Sequence, residues 1–278
     1  KNSGTIILMK NLAHMQAFYL NKIDEAVLLL ETAIKIPHAK PMDIAACKIE
    51  LADILLMSGD NWEATLLYSQ VEKAFKYDAI GYHAKFKNAK LSFYIGEFEW
   101  ARTQLDILRS ATSKLIANDA MELSLLISDN IDADSNIIPL RMYAGASLQE
   151  FRKNYSASLF ILDSIESLYP YHNIIDEVLL HKARIHKKRG NYLAADSLYT
   201  IVYTNYNNDI LADNALIECA RLNEHILKNK EKAIECYRKI LFDHSGSLFV
   251  TEARRQYRLL KEDQKSSETS AIDFPHHG

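Results

Sequence analysis

Apolar residues recur along most of the chain at three- and four-residue intervals, and short polar breaks interrupt the pattern at regular distances. Such spacing lines one face of a helix with apolar side chains and leaves the other face polar. Segments 47–57 and 177–186 carry the stripe before a break, and segments 64–71 and 195–202 carry it after one. Each break is only a few residues long, so the pattern predicts pairs of antiparallel helices joined by tight turns. Gly59, Gly96 and Gly190 sit at three of the breaks, where a left-handed residue can satisfy the last carbonyls of the first helix.

The breaks repeat. A small residue follows each one: Ala26, Ala64, Ala101, Ser158, Ala195 and Ala233, separated by 38, 37, 57, 37 and 38 positions. A second small residue precedes most of them by about twelve positions: Ala52, Ala89, Ala146 and Ala183, with Ala220 thirteen before Ala233. On facing antiparallel helices the two allow close backbone approach, and a larger side chain would overpack the contact. A fixed period of this length marks a stack of helical hairpins.

Composition agrees. Only 8 glycines and 5 prolines occur in 278 residues, too few turn formers for a β-rich chain. Apolar runs such as Ile6–Met9 and Ala26–Leu30 are far shorter than a bilayer requires. The net charge of −3 offers no general attraction for nucleic acid or an anionic membrane. Cys47, Cys219 and Cys236 are widely spread without a CxxC, and read as small buried hydrophobes. Cys219 and Cys236 fall on the two helices of one repeat, which permits a bridge without implying one.

The motif Gly190-Asn191-Tyr192, then Ala195, then Tyr199, resembles the tetratricopeptide repeat. So do Ala64 with Tyr68, Ala233 with Tyr237, and Pro170 twelve residues after Ser158. The resemblance covers residues 4–245, although the first unit lacks the turn glycine, the fourth has serine for alanine, and most closing prolines are missing. It implies an all-α, right-handed α-solenoid of about six helix pairs with a C-terminal capping helix. The expected organisation is repeats one to three over 1–115, an insertion over 116–138, repeats four to six over 139–246, a capping helix over 247–262 and a disordered tail over 263–278. The insertion, which accounts for the 57-residue spacing, reads as a short helix capped by Asn118 or Asp119 and a polar loop over 129–136. Residues 96–130 also look similar to envelope-associated repeat proteins of Bacteroidetes. That likeness slightly favours a bacterial periplasmic or outer-membrane-associated location, with a lipid anchor or further domain upstream of Lys1.

In this family the first helix of each pair lines a concave groove. The implied groove residues are aromatic in the middle (Phe86, Phe93, Tyr94, Tyr143 and Phe151, with Lys90 among them) and basic further on (Arg184, Lys187, Lys188, Arg221). They suit a protein or peptide segment with apolar anchors and some acidic groups. The family's lysine-and-asparagine clamp for a terminal carboxylate does not line up. The expected function is a non-catalytic scaffold or adaptor in a bacterial envelope assembly or secretion complex, with single-stranded RNA binding as the alternative.

No catalytic constellation emerges, and no cofactor, metal or small-molecule substrate is expected. His181 and His186 are five apart, on diverging sides of a helix, without the glutamate of HExxH. Asp132, Asp134 and Asn136 begin like a calcium loop, but Ile137 and Tyr143 stand where it needs glycine and glutamate. Asn154-Tyr155-Ser156 is a formal glycosylation sequon that coincides with a repeat turn, and His276-His277 lies in the expected tail.

Overall fold

A computed structural model describes residues 2–111, 114–131 and 136–272. The Asp132–Asp134 segment and His276-His277 lie outside the described residues. The described residues form fourteen α-helices and no strand: α1 Asn2–Phe18, α2 Ile23–Ile34, α3 Pro41–Ser58, α4 Asn61–Ala74, α5 Ala79–Tyr94, α6 Phe98–Ala111, α7 Lys114–Ile131, α8 Ile138–Phe151, α9 Tyr155–Leu168, α10 Ile175–Lys188, α11 Tyr192–Asn205, α12 Ala212–Leu222, α13 Lys230–Asp243 and α14 Val250–Ile272. A single π-helical turn, Asn223–Leu227, extends α12. The chain forms two compact units, residues 1–161 and 162–278, with the boundary inside α9.

The fold is an all-α repeat of antiparallel hairpins, as the period predicts. In both units each hairpin has a first helix and a second helix, and the first helices α3, α5 and α12 each pack against the second helices on either side in sequence. All six turns share one backbone device. The residue five before each small residue is left-handed: Asn21 (φ 53°), Gly59 (104°), Gly96 (85°), Lys153 (59°), Gly190 (78°) and Lys228 (57°). Three turns therefore keep the geometry without glycine. An L side chain in this region costs about 1 kcal/mol, so Lys228→Gly is expected to raise the chemical-denaturation stability of unit 2 by about that amount.

The small residues meet as the spacing requires. Ala13, Ala26, Ala52, Ala64, Ala89, Ala101, Ala146, Ser158, Ala183, Ala195, Ala220 and Ala233 are all fully buried. Serine replaces alanine at 158 without leaving a buried hydroxyl unpaired, because Ser158 Oγ donates to the Ala146 carbonyl across the pair at 2.8 Å. Four residues after three of the alanines stand Tyr68, Tyr199 and Tyr237, which are among the largest fully buried side chains.

Their hydroxyls differ. Tyr68 donates to Asp53 and Tyr237 to Glu224 Oε2 at 2.6 Å, whereas the buried Tyr199 Oη has no hydrogen-bond partner. Removing an unpaired buried hydroxyl costs little, while removing a donor to a carboxylate costs about 1.5–3 kcal/mol. Urea denaturation should therefore show Tyr199→Phe at or above wild-type stability and Tyr237→Phe below it.

Two boundaries differ from expectation. The insertion is not a short helix: α7 starts at Lys114 and runs 18 residues to Ile131. Its stripe of Ala120, Ser124, Ile127 and Asn130 recurs at helical spacing and is buried, and α7 packs on α6 and α5. Asn118 and Asp119 thus lie inside the helix, not at its cap. At the other end, α14 continues ten residues past 262, because residues 262–272 hold neither glycine nor proline to stop it.

Candidate functional site

In unit 1 the ends of four helices converge. Phe18 closes α1, Tyr94 closes α5 and Phe151 closes α8. The Phe151 ring lies 6.0 Å from Tyr94 and meets Phe18 edge-on at 6.2 Å. Arg152 Nη2 donates to the Leu56 carbonyl near the end of α3 at 3.3 Å. Two of the aromatic residues expected in the middle of a groove, Tyr94 and Phe151, are therefore drawn together with the first repeat.

Two lysines edge this cluster. Lys153 Nζ sits 3.5 Å from the Tyr19 ring centroid and 5.5 Å from Phe18. Lys90 Nζ lies 5.8 Å from the Tyr94 ring and 6.0 Å from Phe86. The Tyr94 hydroxyl beside it favours the ammonium form and raises its pKa, against the effect of burial. Cation–π pairs contribute about 0.5–1 kcal/mol at exposed sites and about 2 kcal/mol when desolvated, so these partly buried lysines are held over the rings. Tyr19 is 70% exposed, which leaves a wide aromatic surface beside a cation. Leu8, Leu12 and Met15 continue that exposure along α1.

Phe86, Lys90, Tyr94, Tyr143 and Phe151 are half-buried on unit 1. Phe93 is corrected: it is 2% exposed, with its ring 5.7 Å from Phe98 at the start of α6. Four residues past Ala89, its side chain turns into the hairpin and packs under the turn, behind the surface that Tyr94 presents. Tyr19 and Lys153 were missed because they follow the helices, at and near the left-handed turns, where a helical register cannot place them.

In unit 2 the expected basic face is largely neutralised. Lys187 Nζ is 2.7 Å from Glu218 Oε2. Arg221 makes a bidentate pair with Glu252 at 2.7 and 2.8 Å and also reaches Glu218 Oε1 at 3.1 Å. These contacts lower the Glu252 pKa, chiefly through the Arg221 hydrogen bond, and lower that of Glu218 against its burial through Lys187 and Arg221. Lys187 and Arg221 are consequently held within the unit. Arg184 is half-buried and Lys188 exposed on α10.

The same device recurs in unit 1 with its own register. His14 Nδ1 lies 2.7 Å from Glu50, and Lys87 Nζ lies 2.7 Å from Asp53 Oδ2. In each case the residue after the small position of one first helix pairs with the residue two before the small position of the next. Complementary charge at these offsets was readable from the sequence as a ladder between successive first helices. It defines structure, not a free binding surface.

Unit 2 also buries a carboxyl pair. Asp176 and Glu177 open α10 and share a hydrogen bond. Burial, the Asp176 hydrogen bond and its like charge push the Glu177 carboxyl far above the usual carboxylate range, and burial raises Asp176 too. Apart from that shared hydrogen bond, the buried Asp176 Oδ1 and Glu177 Oε2 find no partner.

His181 is buried on α10, and His186 lies near Asn191 at its end. Among the described residues, no group of three or more histidine, cysteine or acidic side chains is placed to hold a metal ion. No described helix is long and apolar enough to cross a membrane.

The molecule is thus a helical-hairpin repeat protein with an aromatic–lysine cluster in its first unit. No protein-family profile matches the chain, and no curated relative matches. Solved structures similar to it include the P58(IPK) TPR domain, with 14% identity, TM-score 0.39, and coverage of 96% of this chain and 67% of that one. PilF of Pseudomonas aeruginosa is similar at 13% identity and TM-score 0.35, covering 94% and 99%. A tetratricopeptide repeat protein from Parabacteroides merdae is similar at 17% identity and TM-score 0.38, covering 93% and 99%.

Proposed function

We propose that the chain is a non-catalytic interaction scaffold, and that the aromatic–lysine rim of unit 1 docks a peptide segment of a protein partner. The observation that carries this reading is the exposed Tyr19 ring under Lys153, continuous with Phe18, Phe151 and Tyr94. Exposed aromatic surface beside cations suits a segment with apolar anchors flanked by Asp or Glu, since rings give contact area at low entropy cost and the ammonium groups orient the acids. Arg184 and Lys188 offer a second, basic contact on unit 2, to be tested separately. A place in a bacterial envelope assembly or secretion complex belongs to the same proposal. It predicts recovery of the native protein with the membrane fraction, and recovery wholly in the cytosol would count against it.

Selection of a random peptide library on the immobilised chain tests the reading. The expected consensus pairs aromatic or aliphatic anchors with acidic residues, and Tyr19→Ser combined with Lys153→Glu should weaken the selected peptides at least tenfold. A consensus that binds this double variant as tightly as wild type would move the site elsewhere. Mixed-sequence RNA binding that collapses between low and moderate salt would favour the RNA alternative instead.

A further inference from the structure

Cys219 on α12 and Cys236 on α13 face each other inside the last hairpin of unit 2, with their sulfurs within hydrogen-bond distance at 3.4 Å. Their residues are 0% and 1% exposed. Two thiols kept only for their volume would need no polar company, yet these have a charged neighbourhood. Cys219 Sγ lies 3.3 Å from Asp196 Oδ1. Asn223 Nδ2 donates to the same oxygen at 2.6 Å, and Lys232 Nζ pairs with Asp196 Oδ2 at 2.6 Å. The contact between the sulfurs divides their acidities: the Cys219 hydrogen bond, aided by Lys232, lowers the Cys236 thiol, while Cys219 is raised.

We propose that Cys219 and Cys236 form an oxidisable dithiol, a modification site at which a small disulfide of the glutathione class ties α12 to α13. The Cys236 thiolate attacks one sulfur of the oxidant, whose S–S bond breaks and releases the first thiolate. Cys219 then passes its proton to the Asp196 carboxylate and attacks Cys236 Sγ, breaking the mixed disulfide and releasing the second thiolate, which takes that proton from Asp196. Two cysteine thiols are oxidised, one disulfide is reduced to two thiols, and the cysteine protons end on the released thiolates. Asp196 tolerates losing the Cys219 thiol because Asn223 and Lys232 still donate to it. Closure shortens an S···S contact already made at 3.4 Å to a bond of about 2.05 Å. Burial of both sulfurs means that the oxidant enters when the terminal hairpin opens, across the π-helical turn and the left-handed Lys228 that join the two helices.

The test uses the full chain, equilibrated with reduced and oxidised glutathione, both folded and during refolding, then alkylated, digested and analysed by mass spectrometry. The expected product is a peptide linked through Cys219 and Cys236, with Cys47 left alkylated. Lys232→Met should slow its formation several-fold in the folded chain. Cross-linking of 17-residue spacing should raise the thermal midpoint of unit 2 by about 5 °C or more, reversibly with reductant, and Cys219→Ser and Cys236→Ser should each abolish that shift. Recovery of both cysteines as free thiols, or as separate glutathione adducts, in both arms would overturn the proposal. An unchanged or lowered midpoint in the cross-linked chain would overturn the stabilising role.

Discussion

Asp53→Ala is expected to lower the stability of unit 1 by about 3–5 kcal/mol, the cost of breaking a largely buried charge pair. The carboxylate accepts from the Tyr68 hydroxyl and takes both oxygens to Lys87 Nζ, at 3.0 and 2.7 Å. Its removal leaves the part-buried Lys87 ammonium on α5 and the buried Tyr68 hydroxyl on α4 without the acceptor they share. Asp53→Asn should lose less, because it keeps an acceptor for Tyr68 while surrendering the charge. Urea unfolding followed by tyrosine fluorescence checks both. A loss below about 1 kcal/mol for the alanine variant would show that the ladder between first helices contributes little.

The second large effect is on pH dependence. In the folded protein the Glu177 carboxyl is raised, so it stays protonated where the unfolded chain, titrating near 4.5, has already ionised. For a raised acid, the full stability is present below the unfolded value and is lost as pH rises above it, by no more than about 1.4 kcal/mol per pH unit. Unit 2 is therefore expected to be more stable at pH 5 than at pH 8. Glu177→Gln, which cannot ionise, should raise stability at pH 8 and change it little near pH 4.5. Thermal melts across that range would show the two curves diverging upward in pH; parallel curves would mean that Glu177 is ionised in the folded state.

Much of the fold was legible in the sequence because each hairpin obeys one steric rule. The six small residues from Ala26 to Ala233 gave the period, and their facing partners from Ala52 to Ala220 gave the antiparallel pairing. The turns at Asn21, Lys153 and Lys228 were harder, since residue type did not advertise the left-handed backbone that Gly59, Gly96 and Gly190 announce. The length of α7 was missed because its buried stripe includes Ser124 and Asn130, polar residues that a count of apolar positions passes over. Ser124 donates to Asp106 of α6, and Asn130 donates to its own helix.

The site was less legible than the fold. Helical register separated inner from outer faces, but it could not tell Phe93, which packs behind the surface, from its neighbour Tyr94, which remains on it. Nor could it show that Lys187 and Arg221 are committed to Glu218 and Glu252, each two helices further along the chain. Those assignments depend on residues more than thirty positions apart. Tyr19 and Lys153 are the extreme case, joined at 3.5 Å across more than a hundred positions of chain.

The most direct test of the scaffold reading is hydrogen–deuterium exchange of the full chain with and without a library-selected peptide. Slowed exchange is expected in the segments that carry the rim, residues 18–22 and 148–154, with little change in α14. Protection confined to α14 or to the second helices, with the rim segments unchanged, would contradict it.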